Sequence, residues 1–121
     1  LIGAILAYEL GKDSSNKQAW VGLGLIGGWQ FGGHYAKLTQ HGKQLHSHTV
    51  YGSLEHMPDN YTNTWHNPNS GNSGNFTVRN TNTYRGTPCR EFTQTIYVGG
   101  RAQQGYGTAC RQADGSWKIV Q

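Results

Sequence analysis

The side chains able to do chemistry in this sequence are few. There are two cysteines, six histidines and six carboxylates, set against ten lysines and arginines. Cys89 and Cys110 are far outside C-x-x-C redox spacing. They lie symmetrically about Gly99-Gly100, a dipeptide suited to the positive φ angles of a type I′ hairpin. A two-residue loop there puts Val98 opposite Arg101 and, counting back, Cys89 opposite Cys110. The two fall in a non-hydrogen-bonded pair, where Cα atoms approach to about 4.5 Å, at the short edge of what a disulfide accepts. A cross-link at this position points to an oxidising compartment.

The other groups argue against catalysis. His34, His41 and His48 recur at heptad spacing, and His46 and His48 cannot share a helical face. Zinc favours tighter clustering, so the histidines read as structural or solvent-facing, with no metal site and no cofactor. The acids are scattered. No paired carboxylates, nucleophile elbow, phosphate loop or HExxH motif occurs, so the chain does not read as an enzyme. The net charge of +4 is unevenly placed. From Asn67 onward six cations (Arg79, Arg85, Arg90, Arg101, Arg111, Lys118) face two acids, Glu91 and Asp114. That excess reads either as an ordinary solvated surface or as a patch for an anionic partner such as a lipid headgroup or glycan. Arg90, Arg101 and Arg111, with Tyr97, Tyr106 and Trp117, are the candidate ligand-binding residues. No nucleic-acid-binding motif is present.

The elements that must position these groups follow from periodicity. Residues 88–120 predict three strands turning at Gly99-Gly100 and Asp114-Gly115, both read as two-residue loops. The second turn then sets Trp117 opposite Gln112 and Ile119 opposite Cys110. One face gathers Phe92, Ile96, Val98, Gly105, Gly107, Ala109 and Val120 and should receive a helix. The other carries Thr93, Thr95, Tyr97, Tyr106, Thr108, Trp117, Ile119 and the cysteines. Asn75–Tyr84 adds an edge-like strand, completing an antiparallel four-stranded β-meander over 75–121. Residues 58–74 read as loop, rich in Asn, Ser, Gly and Pro, with Trp65 plugging the edge of a core. Residues 34–57, with Tyr35, Leu38, Leu45 and Thr49 on one side, read as a helix ended by Pro58.

Residues 1–33 differ in kind. Gly3, Ala7 and Gly11, and again Gly24, Gly28 and Gly32, recur every four residues. These are small-residue stripes that let helix backbones approach closely. They pair as Gly3/Gly32, Ala7/Gly28 and Gly11/Gly24, as an antiparallel helical hairpin requires. Such a hairpin would sit in a membrane or pack in a homo-oligomer. The second helix spans only about 22 Å, which suits a thin outer membrane. The chain opens on LIGAILAYEL without an initiator Met and is expected to begin inside a longer precursor. The fold class is therefore α+β, with a helical hairpin over 1–33 and an α+β domain over 34–121.

Several of these stretches resemble one family. Trp65-His66-Asn67-Pro68-Asn69-Ser70-Gly71-Asn72-Ser73-Gly74 is similar to its W-x-N-P-x-[ST]-G-N-S-G segment. Cys89-Arg90-Glu91-Phe92, Gly99-Gly100, and Gly105 through Trp117 are similar to its C-terminal block. The glycine stripes of 1–33 are similar to its N-terminal module. The family is the rickettsial seventeen-kilodalton surface antigen group, glycine-zipper outer-membrane lipoproteins. The resemblance implies an envelope location at the outer membrane, commonly with an N-terminal lipid, exposed to the periplasm or cell surface. It implies no established activity. Two functions are expected from residues and resemblance together. The first is a structural envelope protein that self-associates through 1–33, alone or within a larger assembly of envelope proteins. The second is a binding module for an anionic glycan such as peptidoglycan or lipopolysaccharide, or for a lipid.

Overall fold

A computed structural model describes residues 30–120. Two helices, α1 (Gly33–Ala36) and α2 (Gln40–His56), precede five strands: β1 (Thr62–His66), β2 (Ser73–Tyr84), β3 (Thr87–Val98), β4 (Arg101–Arg111) and β5 (Trp117–Ile119). The strands form one antiparallel sheet in sequence order, and α2 packs on one face of it.

The expected architecture needs correcting at three places. No glycine-zipper helical hairpin is seen among the described residues. Gly3, Ala7, Gly11, Gly24 and Gly28 lie outside them, and Gly32 takes φ 53°, a left-handed value that a continuous helical stripe excludes. The single helix expected over 34–57 is two. The chain breaks at Thr39, which is extended and whose hydroxyl accepts the Gly42 N–H at 3.1 Å to cap α2. The sheet has five strands rather than four, because β1 forms inside the stretch read as loop. Its Thr62-Asn63-Thr64-Trp65-His66 alternates faces, and Trp65 lies opposite Gly74. A Cβ at Gly74 would stand 2.7 Å from the indole Cε2, so glycine opens the space the ring fills. β2 is consequently an interior strand, not an edge.

The first hairpin is as the spacing predicts. Gly99 and Gly100 take φ 59° and 79°, Val98 faces Arg101, and Cys89 faces Cys110. The sulfurs are bonded, with Cα atoms 4.0 Å apart. The second turn is one residue longer than expected. Ser116 O accepts from Gln112 N at 2.7 Å, and Gln112 O accepts from Gly115 N at 3.0 Å. Ala113-Asp114-Gly115 is thus a three-residue loop, with Gly115 at φ 89°. The Asp114 carboxylate accepts from both the backbone N–H and the hydroxyl of Ser116, which favours the longer turn. A one-residue slip reverses faces. Ile119 therefore pairs with Ala109, and Trp117 with Arg111. Both turn into the core, while Val120 turns outward and is partly exposed.

The core has two clusters, one between α2 and the sheet and one between the α1 segment and the sheet. Val50 and Leu54 meet Phe76, Val78, Phe92, Ala109, Trp117 and Ile119. Phe31, Tyr35 and Leu38 meet Trp65, Ile96 and Val98. The buried side of α2 is unusually polar. The hydroxyls of Thr49 and Ser53 are satisfied by the Leu45 and Thr49 carbonyls one turn earlier. Between the clusters runs a polar chain. Gln30 Nε2 donates to Tyr106 O at 2.6 Å, and Gln94 Nε2 donates to Gln30 Oε1 at 2.6 Å. Gln94 Oε1 is therefore the acceptor for His46 Nε2 at 2.9 Å, which assigns the imidazole proton to Nε2. His46 Nδ1 is buried with no partner among the described residues. Gly105 lacks the side chain that would occupy the place of Gln30.

Candidate ligand-binding face

The alternation that buries Phe92, Gln94 and Ile96 turns their neighbours to the opposite side, which no described helix covers. Cross-strand register then lines up polar side chains in rows. One row runs Thr62, Thr77, Thr93, Tyr106, and the next runs Thr64, Asn75, Thr95, Gln104. The sheet is hollowed here into a groove of about 410 Å³ spanning β1 to β4. Its depth shows in Thr77, which is 3% exposed although none of the described helices covers it. Thr62 and Thr77 share a hydroxyl bond of 2.9 Å. Tyr106, 80% exposed, stands at the rim, and Tyr97, 41% exposed, lies on the same side of β3.

Arg79 enters the groove from a β-bulge. Val78 pairs with Phe92 and Asn80 with Glu91, leaving Arg79 between them without a partner position. Its Nε donates to Thr93 Oγ1 at 3.2 Å. Asn80 Nδ2 donates to Glu91 Oε2 at 3.4 Å.

The candidate residues read from sequence divide between the two faces. Tyr97 and Tyr106 are on the open side. Arg101 sits at the exposed turn, on the helix side by strand alternation, and its carbonyl accepts from His34 Nε2 at 3.1 Å. Arg90 belongs to the helix side and is 9% exposed. Its guanidinium donates to the carbonyls of Ser53, Leu54 and Met57 at the end of α2, to the Thr81 hydroxyl, and to Asp59 at 3.1 Å. It closes the carbonyl end of the helix. The Thr81 hydroxyl, helped by Arg90, holds the Asp59 carboxyl below its ordinary value against the opposing push of desolvation. Arg111 is bonded to Glu55 at 2.6 Å. Trp117 is buried, and its indole N–H donates to the same carboxylate oxygen at 2.9 Å. Burial pushes the Glu55 carboxyl up, but the bonds from Arg111 and Trp117 outweigh it and hold it low. The basic-aromatic patch is thus not one surface. Arg90, Arg111 and Trp117 join helix to sheet.

Sequence reasoning missed Arg79 and the hydroxyl–amide rows. Their signal was the repeated Thr62-x-Thr64, Asn75-x-Thr77 and Thr93-x-Thr95, short polar alternations that register stacks side by side. The groove holds hydroxyls, amides, exposed phenol rings and a guanidinium. It holds no nucleophile with an adjacent base. Among the described residues no three acids, histidines or cysteines group to hold a metal, and no helix is long and apolar enough to cross a membrane.

A family model for the 17 kDa outer membrane surface antigen matches residues 52–118, more than half of the chain. The chain belongs to the 17 kDa surface antigen family. A 17 kDa surface antigen of Rickettsia bellii is 38% identical over 122 residues, covering 98% of this chain and 75% of that protein. Those of Rickettsia japonica and Rickettsia prowazekii are 41% and 46% identical over shorter stretches, covering 54% and 43% of their own lengths. No solved structure matches the chain. Surface-antigen membership and the disulfide fit an envelope-associated protein, and the family is not a known enzyme family.

Proposed function

We propose that this outer-membrane surface antigen is a binding module that holds an envelope glycan on the open face of its sheet, without chemistry on it. The groove carries this reading. Rows of hydroxyl and amide groups match the donors and acceptors of a saccharide. Tyr106 presents an aromatic plane at the rim, on which the apolar face of a pyranose can stack. The disulfide holds β3 and β4, two of the groove's walls, in fixed register. The glycan class in question is the amino sugars of the peptidoglycan strand or of the lipopolysaccharide anchor.

The test is cosedimentation with purified sacculi and titration with chito-oligosaccharides. Wild-type protein should bind one of them, and Tyr106→Ala should weaken that binding at least about tenfold at unchanged melting temperature. Failure of the wild-type protein to bind either probe would end the proposal.

A further inference from the structure

Resting on the glycan reading, we infer that the unit bound in the groove carries an oxyanion, and that Arg79 is the specificity-determining residue that reads it. The argument begins with the bulge. In an unbroken ladder the residue after Val78 would stand directly opposite Glu91, and arginine there would be neutralised by its cross-strand neighbour. The extra residue changes the partner. Asn80 takes the place opposite Glu91 and bonds its carboxylate, while Arg79 is turned toward Thr93. Bulges that re-aim a side chain recur beside functional sites, at the cost of local pairing.

The result is a guanidinium held in position but left unneutralised. Its Nε is anchored on a threonine of the groove, and no carboxylate among the described residues pairs with it. Arg90 and Arg111, by contrast, are matched to Asp59 and Glu55. With Nε fixed on one edge, the two terminal nitrogens offer a planar fork that fits the two oxygens of a carboxylate or phosphate. A sugar seated on the Thr77/Thr93 row would place such a group within reach. A sugar acid and a sugar phosphate share this chemistry and are separated by the test.

Binding is measured with three probes of similar length: a neutral chito-oligosaccharide, an oligogalacturonate and a phosphorylated glucosamine disaccharide. Wild-type protein should favour at least one acidic probe over the neutral one by about tenfold. Arg79→Gln should abolish that preference, weakening acidic binding about tenfold and neutral binding far less, at unchanged melting temperature. Arg79→Lys should restore more of the phosphate preference than of the carboxylate preference, because it keeps the charge but loses the fork. Equal wild-type affinity for neutral and acidic probes, or an acidic preference that survives Arg79→Gln, overturns the inference while the glycan reading stands. Absence of binding to all three overturns the inference, and overturns the glycan reading too if sacculi also fail to bind.

Discussion

Replacing His46 with glutamine should remove most of the acid sensitivity of this fold. The imidazole is 1% exposed, ringed by Tyr35 and Trp65 and bonded to Gln94. Burial, partly offset by the Gln94 bond, pushes its pKa down from 6.5 to about 4. Lys43 stacks on Tyr35, one of the rings beside the imidazole. When the chain unfolds, His46 takes up a proton near its ordinary value, whereas folded it stays neutral until about pH 4. The stability this contributes is complete above 6.5 and is lost as pH falls to about 4, below which the loss levels off. At about 1.36 kcal/mol per pH unit, the gap between 6.5 and about 4 amounts to about 3 kcal/mol. Urea unfolding of wild type and His46→Gln, followed by tryptophan fluorescence between about pH 7 and about pH 4, measures the difference. Glu55 and Asp59, whose carboxyls also sit low, weaken both proteins alike, so the difference isolates His46. Parallel pH profiles, or a folded-state His46 proton titrating near 6.5 by NMR, would refute the reasoning.

Two further outcomes follow from the same contacts. Arg90→Met should lower stability by about 3 kcal/mol or more, since it strips three helix-end carbonyls and Asp59 of their partner; circular dichroism should show loss of the last turn of α2 before global unfolding. Reducing the disulfide, which closes a loop of sequence separation 21, should lower stability by about 3 kcal/mol, seen as a drop in the urea midpoint with dithiothreitol.

The β3–β4 hairpin could be read from sequence because two independent signals, Gly99-Gly100 and the cysteine spacing, demanded one register. The β4–β5 turn had only Asp114-Gly115, which serves both two-residue and three-residue loops. Trp117 and Ile119 could have decided it, since only the shifted register buries both beside Ala109. β1 stayed hidden because its threonines and asparagine look like loop, and only Trp65 opposite Gly74 makes it a strand. Arg90 was misplaced because charge was read before alternation. It occupies the inward series Arg90, Phe92, Ile96, Val98, so a buried partner was owed to it. The groove was the least legible feature. No single strand holds it, and its rows exist only once four strands are in register.

The Cys89–Cys110 bond also acts on the chain when it is not folded. Residues 89 and 110 face each other next to Arg90, whose reach to the helix depends on β3 presenting the right side. An oxidised chain that melts keeps these two positions tied, and within this sequence no third cysteine offers another pairing. It therefore carries a memory of its pairing through denaturation. An antigen crossing the envelope in that state would need only to close a preset hairpin rather than search for one.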